Sequence, residues 1–170
     1  MVAASPVERE VWRLLADVPD PEIPILNVIE LGVVRYVRDE QERGIAVGVS
    51  PTYTGCPATE VIQASIKARL QNAGFETVHV DTVLAPPWTS DWLTESAREK
   101  LREYGIAPPG PVAAAATAPL RFVPRPPKAL ACPRCESLDT ERLAAFGSTA
   151  CKALWRCRAC GEPFEHFKAI

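Results

Sequence analysis

Two C-x2-C pairs near the end of the chain limit its fold more than any other feature. Four of the six cysteines form these pairs: Cys132, Cys135, Cys157 and Cys160. A two-residue gap lets both thiolates of a pair turn back onto one metal ion, and two such turns complete a tetrahedral four-sulfur shell. A closed shell leaves no open coordination position for chemistry. The spacing therefore predicts a structural metal site that fastens a small zinc ribbon.

Zinc is the default metal for this site, because its four-sulfur sites are closed and redox-inert. Iron is the alternative, since thiolates also bind iron and iron–sulfur clusters. Residues 130–170 form too short a module to fold on a core of their own, and metal binding would supply the missing stability. Cys151, beside Lys152, is a further thiol. It is either a small buried hydrophobic residue or an alternate ligand or reactive thiol.

The composition allows one ordinary domain and a small one, with 170 residues of which 47% are hydrophobic. A net charge of -2 argues against general nucleic-acid binding, although four arginines give the ribbon a basic character: Arg134, Arg142, Arg156 and Arg158. No run approaches the roughly 18 apolar residues of a membrane span, and the first ten residues lack a signal pattern. These features predict a cytoplasmic protein, in which C-x2-C pairs hold metal rather than form disulfides.

The hydrophobic periodicity predicts an α+β fold for residues 1–108: a small two-layer α/β sandwich, in which helices cover a mixed sheet. Helices are predicted at 6–17, 58–73 and 91–104, a strand hairpin at 33–37 and 45–50, and a third strand at 75–84. Ser5 and Pro6 suit the start of the first helix, and Thr89 or Ser90 that of the third. The second helix is expected to bury one apolar stripe: Val61, Ile62, Ile66 and Leu70.

Residues 109–129 are rich in proline and alanine, which predicts a semi-rigid linker. The four-cysteine module follows at 130–170. Its strands are predicted at 139–146, 154–157 and 164–167.

Cys56 is the strongest candidate for chemistry outside the ribbon. It stands in Thr54-Gly55-Cys56-Pro57, directly before a predicted helix. A thiol there faces unpaired N–H groups and the positive end of the helix dipole, which favour thiolate. Cys56 is therefore a candidate reactive or metal-ligating residue, with a structural cysteine near a helix cap as the alternative. Neither a C-x5-R nor a C-x-x-C motif surrounds it.

Two acids, Asp20 and Glu22, stand in the rigid segment Asp-Pro-Glu-Ile-Pro. They could approach Cys56 and help to form a metal or partner site, or they could only shape the turn after the first helix. His166 lies among aromatic residues, and no spacing requires it as a ligand. The chain holds no H-E-x-x-H motif, no glycine-rich phosphate loop and no recognisable nucleophile–base pair. It is therefore not expected to be catalytic by itself.

Several of these motifs resemble a known family. The segments at 20–24, 27–32 and 54–57 resemble the small α/β domain of the SufT-like iron–sulfur maturation factors. With the C-terminal ribbon and the segment Phe146-Gly147-Ser148-Thr149-Ala150-Cys151-Lys152-Ala153-Leu154, nearly the whole chain resembles the D subunits of the bacterial ring-1,2-phenylacetyl-CoA epoxidases.

The resemblance implies an accessory or maturation role in aerobic phenylacetate catabolism, without oxygenation chemistry of its own. Cys56 would be the cluster-transfer or iron-contacting cysteine, holding a cluster or iron transiently, with Asp20 and Glu22 nearby. The partners would be the di-iron oxygenase and reductase subunits or iron–sulfur assembly proteins.

Two other functions stay open at this point. The protein could be a structural or docking subunit of the epoxidase complex, which binds partners through the ribbon and a Trp88/Trp92 surface. It could also be a rubredoxin-like electron carrier with iron in the four-cysteine shell.

Overall fold

The computed structural model describes residues 5–53, 55–112 and 130–170. The chain divides into two compact units, Met1–Lys100 and Leu101–Ile170. The domain boundary predicted at residue 108 stays a prediction. The predicted linker falls largely at 113–129, outside the described residues, as does Thr54 of the Cys56 motif. In the part of the chain that the structure describes, no helix is long and apolar enough to cross a membrane.

The first unit is built around a three-stranded mixed sheet in the order β1-β2-β3. Strand β1 (Val34–Asp39) pairs antiparallel with β2 (Ile45–Val49), and β2 pairs parallel with β3 (Val78–Thr82). Every residue of the central strand β2 is buried, as its nearly continuous apolar sequence predicts. Two helices of this unit accompany the sheet, α1 (Pro6–Leu15) and α2 (Ala58–Asn72), and a third, α3 (Glu95–Glu103), begins in it and ends after the boundary at Lys100. The predicted combination of a small mixed sheet with helices is confirmed.

The start of α1 is fixed by a reciprocal cap. The Ser5 hydroxyl accepts the backbone N–H of Glu8 at 3.0 Å, and the Glu8 carboxylate accepts that of Ser5 at 2.8 Å. The predicted N-cap is thus confirmed.

The apolar stripe of α2 differs at one position from the sequence prediction. Four residues of this helix are buried: Ala58, Ile62, Ile66 and Leu70. Val61, which we expected in the same stripe, is 50% exposed. The reason is geometric, because Val61 lies about 100° around the helix from Ile62.

The helix predicted over 91–104 is split into two pieces. Ser90–Trp92 forms a 3₁₀ turn, and Leu93 then takes an extended conformation with a ψ of 131°. Helix α3 begins only after it, where the Thr94 hydroxyl accepts the N–H of Ala97 at 3.1 Å. Thr94 is therefore the residue that sets the start of α3.

The second unit holds a four-stranded sheet in the order β4-β7-β6-β5. Strands β5 (Thr140–Ala144), β6 (Lys152–Cys157) and β7 (Pro163–Phe167) pair antiparallel, which confirms the predicted ribbon. Strand β4 (Ile106–Ala107) joins β7 in parallel and was not predicted, because two residues cannot show an alternating pattern. One face of this sheet carries the core: Ala107, Cys132, Ala153, Trp155, Cys157 and Phe164.

Candidate metal centre and the Cys56 loop

The four ribbon cysteines meet at one point, because two tight turns bring them there. In the first turn the N–H of Glu136 donates to the Cys132 carbonyl at 2.9 Å; in the second, the N–H of Gly161 donates to the Cys157 carbonyl at 2.9 Å. Glu136 and Gly161 follow the last cysteine of each pair, and both take left-handed φ values, 61° and 78°. Glycine adopts this conformation readily, whereas glutamate does so at a cost.

The sulfur atoms have the separations of a single-ion site. The Sγ atoms of Cys132 and Cys160 lie 3.8 Å apart, those of Cys135 and Cys157 3.6 Å apart, and all four lie within 4.8 Å of one another. A zinc–sulfur bond of about 2.3 Å gives a regular tetrahedron with an edge of about 3.8 Å. A disulfide would need a sulfur–sulfur distance of about 2 Å. A four-iron cluster would need wider spacing, because each sulfur binds a different iron atom. The four cysteines therefore fit one tetrahedral ion.

The protonation of these thiols also favours a bound cation. The backbone N–H of Cys160 lowers the pKa of Cys157 to about 7. For Cys135, the N–H of Ser137 lowers the pKa, but hydrogen bonding with the other thiols, Cys160 first, and burial outweigh it and raise the pKa to about 12. The sulfur atoms of Cys135 and Cys157 lie 3.6 Å apart, and two thiols this close do not both ionise readily on their own. A divalent cation removes that conflict, since every ligand is then a thiolate.

The arginines of the ribbon are mostly paired with acids. Arg134 pairs with Glu162, and the Glu141 carboxylate pairs with both Arg156 and Arg158. Residues 130–170 carry six basic and five acidic side chains. A shell of four thiolates around a divalent ion adds two negative charges. The module as a whole is therefore not basic, and the basic character of its sequence does not indicate a nucleic-acid site.

Cys151 lies at the other end of β6 from the metal centre. It stands six residues before Cys157, which is roughly 20 Å along an extended strand. The thiol is 4% exposed and lies 3.0 Å from the Thr149 hydroxyl. Among the described residues, the group that could hold a metal contains only the four ribbon cysteines. The placement favours the buried structural role for Cys151 over that of an alternate ligand.

The turn before Cys151, within the segment from Phe146 to Leu154, is held by contacts with the Glu165 carboxylate. Lys152 is 4% exposed, and its ammonium group pairs with the Glu165 carboxylate at 2.8 Å. The same carboxylate accepts the N–H of Ser148 at 2.6 Å. A Cβ atom at Gly147 would lie only 2.5 Å from this carboxylate. Burial raises the pKa of Glu165, but the bonds from Lys152 and Ser148 outweigh burial and hold it below its ordinary value.

Cys56 lies where the loop after β2 enters α2. Gly55 before it has a φ of 82°. A Cβ atom at this position would meet no atom of the described residues within 4 Å. The glycine is therefore needed for its backbone conformation rather than for a close approach. Pro57 occupies the N-cap and has no side-chain acceptor for the first-turn N–H groups. Cys56 is 9% exposed, and the Thr52 hydroxyl lies 3.9 Å from its sulfur.

Asp20 and Asn27 shape the loop between α1 and β1. Asp20 is 7% exposed, and its Oδ1 accepts the N–H groups of Glu22 at 2.9 Å and Ile23 at 2.7 Å. Asn27 accepts the N–H of Glu30 at 2.9 Å, and the Glu30 carboxylate accepts that of Asn27 at 3.2 Å. The turn role that the sequence offered for Asp20 is thus present. An approach of Asp20 and Glu22 to Cys56 stays a prediction.

The tryptophans after β3 are not both surface residues. Trp88 is 4% exposed, and its indole N–H donates to the Leu31 carbonyl at 3.0 Å. The Arg35 guanidinium covers the ring of Trp92 at 3.4 Å. The docking surface that we expected at Trp88 is therefore wrong, because this side chain packs inside the first unit.

Family models match both parts of the chain. The model described as an iron–sulfur cluster assembly protein matches residues 8–85. The model described as the PaaD zinc beta ribbon domain matches residues 116–168. Together they cover the Cys56 loop and all four ribbon cysteines.

Individual relatives agree with these matches. A protein of Escherichia coli (strain K12), provisionally named as the D subunit of 1,2-phenylacetyl-CoA epoxidase, is 47% identical over 98% of this chain and 96% of its own. The Fe-S protein maturation auxiliary factor SufT of Staphylococcus aureus (strain USA300) is 32% identical over 46% of this chain and 90% of its own. A crystal structure of a DUF59 domain from Bacillus anthracis, 25% identical, superposes with a TM-score of 0.52 over 55% of this chain and 90% of its own.

Proposed function

Because the chain belongs to the family of 1,2-phenylacetyl-CoA epoxidase D subunits, we propose that it is a non-catalytic accessory or maturation subunit of this system in aerobic phenylacetate catabolism. Its task is to assist the insertion of iron–sulfur clusters or iron into partner subunits. The match of residues 8–85 to an iron–sulfur assembly family supports this task. So does the name of the Staphylococcus aureus relative.

The observation that carries the transfer role is the position of Cys56. Its thiol stands directly before α2, at the end of a helix where the N-cap proline cannot pair the first-turn N–H groups. Cysteine sulfur is a ligand of iron and of iron–sulfur clusters. The residue is only just accessible, at 9% exposure. A sulfur in this position can hold iron or a cluster as cargo and pass it to a partner's cysteines by ligand exchange.

The two metal-binding regions have different tasks in this proposal. The ribbon holds a permanent zinc ion, which fastens the module and leaves no position open for exchange. Cys56 contacts its cargo transiently, with Asp20 and Glu22 beside it. The clients are the reductase and di-iron oxygenase subunits, reached directly or through iron–sulfur assembly proteins in the cytoplasm.

A complementation experiment tests the transfer role. A host without its own copy expresses the wild type, Cys56→Ala or Cys151→Ala, and the reductase subunit is then purified and analysed for iron and sulfide. We expect the reductase to contain less iron and sulfide with Cys56→Ala and a full complement with Cys151→Ala. Cys151→Ala is the matched control, because it also removes a buried thiol. Equal circular dichroism of the variants excludes misfolding. A reductase that is fully loaded with iron and sulfide in the Cys56→Ala host would rule out a role for Cys56 in the transfer.

A docking role is the second candidate, because the ribbon exposes apolar side chains at its edge. Strand β5 is the last strand of the sheet, and three large residues in or beside it are exposed: Leu138 at 62%, Leu143 at 48% and Phe146 at 67%. Such side chains on an open edge are typical of partner surfaces. Co-purification with the catalytic subunits at a fixed ratio, lost in Leu143→Glu, would support docking. Iron in the purified ribbon would instead support the electron carrier.

A further inference from the structure

Cys56 lies at the edge of the first sheet where two parallel strands end. Strands β2 and β3 run in the same direction, with Val49 opposite Thr82 at their last residues. The loop that contains Cys56 follows β2, and the segment 83–88 follows β3. Because neighbouring parallel strands end at the same edge of a sheet, both loops leave the sheet from the same place.

Three hydrogen bonds hold these two loops and the start of α2 together. The Ser50 hydroxyl donates to the Val83 carbonyl at 2.8 Å, and the Val83 N–H donates to the Val49 carbonyl at 2.8 Å. The side-chain amide of Gln63 in α2 donates to the Thr82 hydroxyl at 2.9 Å. The two loops and the first turns of α2 therefore lie side by side at this edge.

Large apolar side chains are exposed at the same edge. Among the described residues of the first unit, three such side chains are more than a third exposed: Leu84 at 65%, Val61 at 50% and Val7 at 36%. Leu84 belongs to the loop after β3, and Val61 lies near the start of α2. Val7 lies at the opposite edge, because Glu8 beside it accepts the N–H of Asp39, which pairs with the first residue of β2.

This edge also carries very little charge. The segments 48–66 and 82–90 contain one charged residue, Glu60, whereas 24% of the whole chain is charged. Glu60 is exposed in the first turn of α2. Interface cores are depleted of charged side chains, and apolar side chains grouped at a surface are typical of partner sites. The exposed apolar residues therefore indicate a binding surface beside Cys56.

We infer that the surface formed by Val61, Leu84 and Glu60 binds the reductase subunit that receives the cargo. This inference rests on the proposed transfer function, because ligand exchange brings the client's cysteine sulfurs within bonding distance of the cargo at Cys56. Since Cys56 is only 9% exposed, the client must contact the residues around it. The client surface that fits is apolar around its acceptor cysteines, with a basic side chain opposite Glu60.

Binding of the full-length, zinc-loaded chain to the cluster-free reductase subunit, measured by biolayer interferometry, tests this surface. Leu84→Glu and Val61→Glu each place a charge in the apolar contact and should weaken binding roughly tenfold or more. Val7→Glu is the matched control at the opposite edge and should leave the affinity unchanged. Circular dichroism and zinc content establish that each variant is folded.

A second pair of variants tests the charge of the client. Glu60→Lys should weaken binding severalfold, because it places like charges opposite each other. Glu76→Lys should leave binding unchanged, since Glu76 precedes Thr77, whose carbonyl accepts the N–H of Ile45 at 3.0 Å at the opposite edge. Equal affinities for these two variants would refute the basic side chain on the client.

Equal affinities for Leu84→Glu, Val61→Glu and Val7→Glu would overturn the inference. A wild-type dimer in sedimentation that Leu84→Glu dissociates would overturn it as well, because the surface would then join two copies of this chain. The binding assay contains no iron, so its result is independent of the loading experiment with Cys56→Ala. Full loading in that experiment refutes the transfer role, whereas equal affinities refute the docking surface alone.

Discussion

Replacing Glu165 by glutamine should weaken zinc binding at the four-cysteine centre about a hundredfold, although Glu165 is not one of its ligands. The substitution keeps the size of the side chain and removes its charge. Lys152, whose side chain is 5% exposed, then keeps a buried ammonium group without its carboxylate partner. The Ser148 N–H also loses a charged acceptor.

The size of the effect follows from burial. Removing one partner of a buried ion pair costs about 3 to 5 kcal/mol. Glu165 is 23% exposed, so the lower end, about 3 kcal/mol, applies. A small ribbon of this kind folds and binds its metal in one step, so free energy lost from folding lowers the metal affinity by the same amount. Each 1.4 kcal/mol is about tenfold in an equilibrium constant, which gives about a hundredfold here.

Competition between the protein and a chromophoric chelator for Zn²⁺ measures the affinity. Glu141→Gln is the matched control, because its ion pairs with Arg156 and Arg158 lie on the exposed part of the same sheet, and surface pairs contribute little. The double variant Lys152→Met/Glu165→Leu removes both charges and should recover most of the lost affinity. If Glu165→Gln changes the affinity no more than Glu141→Gln does, the ion pair does not stabilise the ribbon as argued.

Three further predictions concern the backbone and protonation. Glu136→Gly should raise zinc affinity severalfold, because glycine takes the left-handed backbone conformation of the first cysteine turn without the cost that glutamate has there, about 1 kcal/mol. The same chelator competition measures this gain. Gly32→Ala should destabilise the first unit by at least about 2 kcal/mol in urea unfolding, since its φ is 66° and a Cβ would lie 2.6 Å from the Trp92 carbonyl oxygen; an unchanged midpoint would contradict this. The His166 pKa, lowered by burial to about 4, lies below its unfolded value of about 6.5, so the unfolded state takes up a proton first and the ribbon loses stability as the pH drops from 6.5 towards 4. Because the imidazole is only partly buried, solvent screening keeps this loss well below the full value of about 3 kcal/mol. His166→Gln should flatten the pH dependence of ribbon unfolding in that window, and an identical slope in both proteins would refute the assignment.

The elements that the sequence predicted well are those set by local chemistry. The Ser5 cap, the buried strand β2 and the two cysteine turns each depend on residues a few positions apart, so a short window contains the whole cause. The resemblance of the motifs at 20–24, 27–32 and 54–57 to a family could likewise be read without coordinates. Where local signals competed, the prediction failed. Thr94 rather than Thr89 or Ser90 begins α3, and Val61 faces outward despite its apolar side chain.

The sequence by itself determined which four thiols would form a cluster that can hold a metal ion, because a C-x2-C spacing brings the two sulfurs of each pair together. Only the tertiary structure decided which side chains face one another across strands. It placed Cys151 at the far end of β6, paired Lys152 with Glu165, and put the side chains of Arg142, Trp155 and His166 on one face of the second sheet. The physical reason is that strand register and burial join residues distant in the chain, and no local pattern records the partner that each residue meets.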